Sequence, residues 1–261
     1  NEILYKGEKL SGFEVFFFRA VGSELEWSKL LQLYARKNNI PVVDEYLKTE
    51  GPLRRFKSVM GWQLLEGAVS YPKTFLVESF KELVTEVGES QLPLIVKLSK
   101  GGRHGMGTFW IRKQEDLTEL ESLLEERGKK AVEEGKEKPI HRGFLVQEFI
   151  PNDGDYRLFL VEYKALGGFK RMPKEEKLVL NKSLGKSISL AVVPEDVIKM
   201  AEKAAAAVEV EVAGIDLIRD TRNGRVYVVE VNEAPEFKVF ERRTKVNAVK
   251  AIIEYVVGKT E

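Results

Sequence analysis

The sequence predicts an α+β protein preceded by a fragment of an α/β unit. Two observations carry that reading. Amphipathic helical stretches alternate with short apolar runs that look antiparallel, and residues 212–236, VAGIDLIRDTRNGRVYVVEVNEAPE, read as one β-hairpin turning near Asn223-Gly224.

In chain order, residues 14–18 (EVFFF) read as a buried strand, 24–37 as an amphipathic helix, 40–43 as a second strand and 53–65 as a helix carrying Arg54, Arg55 and Lys57. These fall within residues 1–73, expected to be part of an N-terminal α/β domain whose first portion precedes Asn1. Residues 74–142 make a second unit: strand 74–77, helix 78–86, strands 94–98 and 108–111, and the long helix 117–134, whose charged end is a solvated face. Residues 143–261 make a third, with strands 144–149, 156–163 and 164–171, a polar loop 172–187, helix 195–208, the hairpin and a closing helix 248–257.

Composition narrows the function. A chain of 261 residues can bury a sizeable core. Lys+Arg 42 against Asp+Glu 41 leaves net +1, so bulk charge does not point to nucleic acid, which is not an expected partner. The absence of cysteine removes disulfides, thiolate metal sites and Cys nucleophiles, and His104 and His141 alone cannot make a multi-histidine zinc site. No apolar run approaches the ~18 residues of a membrane span and no signal-peptide pattern opens the chain, so no membrane association and a cytoplasmic location are expected. Charged residues at 32%, with Asn and Gln scarce, fit a thermophile.

The hairpin sets acids into apolar strands, where a carboxylate needs a partner. A two-residue turn at Asn223-Gly224 would set Asp216 opposite Val231, on the face away from Glu230 and Asn232. A three-residue loop, Arg222-Asn223-Gly224, with Gly224 left-handed in a G1 bulge, sets Asp216 opposite Glu230. One face then carries Asp216, Ile218, Val228, Glu230 and Asn232, and the other carries Ile215, Leu217, Val229 and Val231, all apolar. The second register is the expectation, because it gives the core an unbroken face. Three oxygen donors on the shared face suit a hard divalent cation such as Mg²⁺, while a surface hairpin with one polar face explains them nearly as well.

Lys97 lies in an apolar strand and must reach a water-filled cleft or an anion. Directly after it, Gly101, Gly102, Gly105 and Gly107 make a loop able to wrap phosphates with backbone N–H groups; an ordinary glycine-rich hairpin tip explains the same residues. The loop lacks the Gly-Lys-Ser/Thr of a P-loop, and it leads into a strand rather than a dinucleotide-binding helix. Gln147-Glu148-Phe149-Ile150 ends a strand just before Pro151, where freed backbone could pair with an adenine edge. Asp155 and Arg157 share a strand face, and Arg171 and Asn181 flank a loop.

Together these residues resemble the ATP-grasp superfamily, and within it the RimK-type carboxylate–amine ligases. The similarity runs from Tyr5-Lys6-Gly7 to the last helix. It rests on Ile95-Val96-Lys97-Leu98 with its glycine loop, Val146-Gln147-Glu148-Phe149-Ile150, Asp155-x-Arg157, Asn181-x-x-x-Gly185, Val212-Ala213-Gly214-Ile215-Asp216 and Glu230-Val231-Asn232-Glu233-Ala234-Pro235. The resemblance implies an ATP-grasp fold, two α+β subdomains clasping ATP. By the same resemblance Lys57 and Lys97 hold its phosphates, Glu148 and Phe149 meet adenine, Asp155 binds ribose and Asn181 lies near the nucleotide. Arg157 and Arg171 would face the transferred phosphoryl group. Asp216, Glu230 and Asn232 would hold two Mg²⁺ (or Mn²⁺) ions.

It further implies ligation of a carboxylate acceptor (a protein C-terminus, a peptide or a coenzyme) to an amine or amino acid, with ADP and phosphate released. Related ligases assemble as homo-oligomers, so self-association is compatible with the resemblance. Where the family commonly carries an arginine two residues before the loop asparagine, this chain has Val179, which leaves the amine open. A phosphotransferase on the same ATP site, or a nucleotide-binding module without turnover, are the competing readings.

Overall fold

The structure, a computed structural model, describes residues 3–19, 25–48, 56–99, 107–135, 143–172, 187–189 and 192–260. Gly101, Gly102, Gly105 and Asn181 lie outside the described residues, as do Arg54, Arg55, His104, His141 and Val179.

The chain opens on a small hairpin, β1 (Leu4–Tyr5) and β2 (Glu8–Lys9), turning through Lys6 and Gly7 at positive φ. A β–α–β unit follows: β3 (Phe16–Phe17), α1 (Leu25–Lys37) and β4 (Val42–Val43), the two strands parallel. Helix α1 buries Ser28, Gln32 and Ala35, positions that fall on one helical face, and Gln32 donates to the Leu47 carbonyl. Helix α2 (Lys57–Glu66) then leads to the middle of the chain.

The middle sheet contains β5 (Thr74–Val77), β6 (Leu94–Leu98), β7 (Thr108–Ile111) and β8 (Phe144–Glu148), all antiparallel, in the order β5-β8-β6-β7. Between strands run α3 (Phe80–Glu86), capped by the Ser79 hydroxyl, and α4 (Glu115–Glu133). Leu117, Leu120 and Leu124 form the stripe by which α4 packs on Val96, Phe109, Phe144 and Val146. Strand β8, which follows the expected boundary at residue 142, pairs with β5 and β6 inside this sheet. Hydrogen bonding decided that membership; chain position could not.

The last sheet has five strands in the order β11-β10-β9-β12-β13. They are β9 (Asp155–Val161), β10 (Lys164–Met172), β11 (Ser187–Ser189), β12 (Val212–Arg219) and β13 (Val226–Asn232). β11 falls at the end of the stretch expected to be loop. Helix α5 (Glu195–Ala207) lays Ala201, Ala204 and Ala205 on the apolar face, small side chains that let it approach Leu158, Ile215 and Leu217 closely. Helices α6 (Phe237–Thr244) and α7 (Ala248–Gly258) cover part of the opposite face through Phe240, Ala248 and Ile252 against Phe159, Phe169 and Val212. α6 is half charged, and its three apolar residues, Phe237, Val239 and Phe240, are too few to announce a helix in the sequence. The rest of that face is polar. Among the described residues no helix is long and apolar enough to cross a membrane.

Candidate active site

The hairpin β12–β13 sets Asp216 opposite Glu230, the expected pairing, by a different device. Arg219 pairs with Val226 and Asp220 N donates to the Arg225 carbonyl, so four residues, Thr221 to Gly224, make the loop, with Gly224 at φ +76. The added residue is compensated by a bulge: Leu217 pairs with Val228, Asp216 with Glu230, and Val229 is left over. The faces expected for two valines are therefore exchanged. Val228 is fully buried in the core with Leu217 and Val226, while Val229 is half-buried beyond it.

Strand pairing continues the row. Arg157 of β9 lies opposite Asp216, and Asp155 opposite Arg171 of β10. The Arg157 guanidinium grips Asp216 at 2.6 and 2.8 Å, Arg171 Nη2 stands 3.0 Å from the same carboxylate, and Arg171 Nε donates to Asp155 at 2.6 Å. Asp216 is 0% exposed, and these pairings answer the need for a partner that its apolar surroundings create. Burial would lower both guanidinium pKa values, but Asp216 outweighs it and holds each above its ordinary range, helped by Asp155 at Arg171 and by the Glu230 charge at Arg157.

Lys97, only 9% exposed, crosses from the middle sheet to the last one: its Nζ donates to the Val229 carbonyl at 2.8 Å. The bulge thus aims a carbonyl at the lysine as well as restoring the register. Lys57, at the first turn of α2, lines one cleft with Lys97, Tyr71, Thr108 and Glu230. Burial pushes the Tyr71 phenol up, opposed by bonding to Gln147 and Thr74 and supported by the Glu230 charge.

Of the other expected residues, Gln147 meets this cleft through its bond to Tyr71. Gln147 is buried and bonds Thr74 Oγ1 at 2.8 Å; Glu148 is tied to Lys73 through both its N–H and its carboxylate. The Phe149 ring stacks on Trp110 at 4.9 Å, and Ile150 is buried. The Gly107 carbonyl accepts from Leu98 N, closing the base of the glycine loop. Asn232 is half-buried on the Glu230 side of β13, and its Oδ1 accepts from Ala234 N at 3.1 Å. Tyr71 and Thr108 carried no signal that sequence reasoning could weigh, because neither breaks an apolar run.

Two antiparallel sheets joined by a lysine across a cationic cleft, with a strip of acids and guanidiniums below, define the class as an ATP-grasp protein. The family profile described as the RimK-like ATP-grasp domain matches residues 55–256, and the chain belongs to that family. A protein of Halorhodospira halophila named probable alpha-L-glutamate ligase is 29% identical over 264 residues, covering 98% of this chain and 80% of the relative. The fold is similar to that of a RimK domain protein from Sphaerobacter thermophilus, with TM-score 0.64, 16% identity, and 94% of this chain and 82% of the other covered. It is also similar to the ATP-grasp ligase PsnB complexed with minimal precursor, Mg, and ADP, with TM-score 0.66, 13% identity, and 100% and 85% covered. The activity that goes with this family is ATP-dependent, ADP-forming ligation.

Proposed function

We propose that the protein joins a carboxylate to an amine at the expense of ATP. The observation that carries the reading is the reach of Lys97 to the hairpin: Lys97 and Lys57 line one cleft with Glu230, and Glu230 pairs across the hairpin with the Asp216 that Arg157 and Arg171 grip. A carboxylate oxygen attacks the γ-phosphorus, giving an acyl-phosphate and ADP. The amine then attacks the acyl carbon, phosphate departs, and the amine loses a proton as the amide forms. Two anions must meet in the first step, and the four cations lower their repulsion and offset charge that grows on the transferred group.

Lys57 and Lys97 hold phosphates in this reading, Arg157 and Arg171 face the transferred group, and the backbone near Glu148 and Phe149 meets adenine. Asp216, Glu230 and Asn232 offer only hard oxygen donors from one face of paired strands, which fits Mg²⁺ in kind. Asp216 is engaged by Arg157 and Arg171, so its share in ion binding requires those guanidiniums to yield. The ion's chemistry would be charge neutralisation at the phosphates. The relatives' names make L-glutamate the first amine to try. A peptide or protein carboxylate is the acceptor class, as the precursor-bound neighbour illustrates for its own reaction.

The test is product analysis. ADP and phosphate should appear only when acid and amine are both present, and Lys97→Met should lower turnover at least about tenfold, as for loss of a charge-assisted hydrogen bond. AMP with pyrophosphate, or a phosphorylated product without a new amide, rejects the reading.

A further inference from the structure

Strands β3 and β4 are parallel, and crevices open at the carboxyl ends of parallel strands. Arg19 lies just past β3 and Asp44 just past β4. Facing them is the segment that leaves β13: Arg19 Nη2 donates to the Pro235 carbonyl, and its guanidinium stands 5.2 Å from the centre of the Phe237 ring. Tyr46 donates its hydroxyl to Glu233 Oε2 at 3.0 Å, and Glu233 directly follows Asn232. Asp44 is anchored separately, its Oδ1 accepting from Glu211 N and Val212 N at 2.7 and 2.9 Å. Arg19 and Tyr46 therefore adjoin the end of β13 that carries the oxygen donors.

One group there is unsatisfied. Arg19 Nη1 is buried and, among the described residues, has no hydrogen-bond partner. A buried N–H of a permanent cation left unpaired is costly, and the planar guanidinium edge is shaped for a carboxylate. Burial lowers the Arg19 pKa, and the Asp44 charge works against that. Asp44 does not supply the missing bond, since no hydrogen bond joins it to Nη1.

We infer that Arg19 recognises a carboxylate of a substrate that does not itself react, holding that substrate beside the end of β13. This rests on the ligase reading and names a specificity residue within it. The chemistry is one oxyanion class, a free carboxylate carried by either the amine or the acid partner.

The experiment measures ADP release over pairs of common L-amino acids and short acidic peptides, each also supplied with one carboxylate at a time replaced by a carboxamide; a replacement that abolishes ADP release marks the reacting carboxylate, and the comparison is made on the others. In the wild type, the carboxamide of one partner should raise KM by about 10- to 100-fold, the size of a lost charge-assisted hydrogen bond. Which partner shows the effect identifies the one that docks on Arg19. In Arg19→Gln that discrimination should shrink toward one while the KM for ATP does not follow, and Arg19→Lys should restore part of it. If Arg19→Gln slows acid and carboxamide alike, or leaves the discrimination intact, Arg19 is only a strut for Pro235 and Phe237 and the inference fails while the ligase reading stands. If the wild type releases ADP with no pair, the ligase reading itself fails.

Discussion

Replacing Asp44 by asparagine should stabilise the protein above neutral pH and leave it nearly unchanged in acid. Asp44 is 2% exposed, and burial, with the nearby Glu211 and Glu233 charges, pushes its carboxyl up to about 7 despite two backbone N–H bonds. An unfolded chain would ionise it near 3.9. Below about pH 4 both states hold the proton and the group is neutral in its effect on folding. Between there and pH 7 the folded state keeps a proton that the unfolded state has lost, so stability falls as pH rises. The loss is complete above about 7 and amounts to roughly 4 kcal/mol as an upper bound, from ~1.4 kcal/mol per unit. Asparagine keeps the Oδ1 that Glu211 and Val212 bind and cannot ionise.

Thermal melts of both proteins at pH 4.5 and pH 8 read this directly. The melting temperature of Asp44→Asn relative to wild type should rise between the two pH values by on the order of 10 °C, given ~2–4 °C per kcal/mol in a chain of this size. An unchanged difference, or a variant that melts lower at pH 8, would show that the Arg19 charge dominates Asp44 and that the burial argument is wrong.

Two further outcomes are expected. Asp216→Ala leaves the Arg157 and Arg171 guanidiniums short of a counter-charge in a buried setting, so it should cost about 3–5 kcal/mol in denaturant unfolding and abolish ADP release. Val228→Ser should cost roughly 2 kcal/mol or more by placing a hydroxyl in the core, whereas Val229→Ser at the bulge should cost under about 1 kcal/mol; equal losses would contradict the bulge.

The candidate site was readable where its signal is local. Lys97 shows itself because it interrupts Leu94-Ile95-Val96, and Asp216 and Glu230 because each breaks a run of valines and isoleucines. The glycine at Gly224 showed where the turn had to be, but not its length, since loops of three and four residues both admit a left-handed glycine. The shift at Val229 was invisible for a related reason. A bulge is a hydrogen-bonding choice between strands, and valine serves on either face.

The sequence by itself determined that acids, lysines and arginines would break apolar strands, and which of them would share a face, because side-chain alternation is a property of one strand. Only the tertiary structure decided which charge meets which: Arg157 finds Asp216 fifty-nine residues away, Lys97 finds a carbonyl 132 away, and Arg19 finds Pro235 at 216. Such pairings are chosen by how sheets stack and where burial leaves a charge without water, and no periodicity along the chain encodes that.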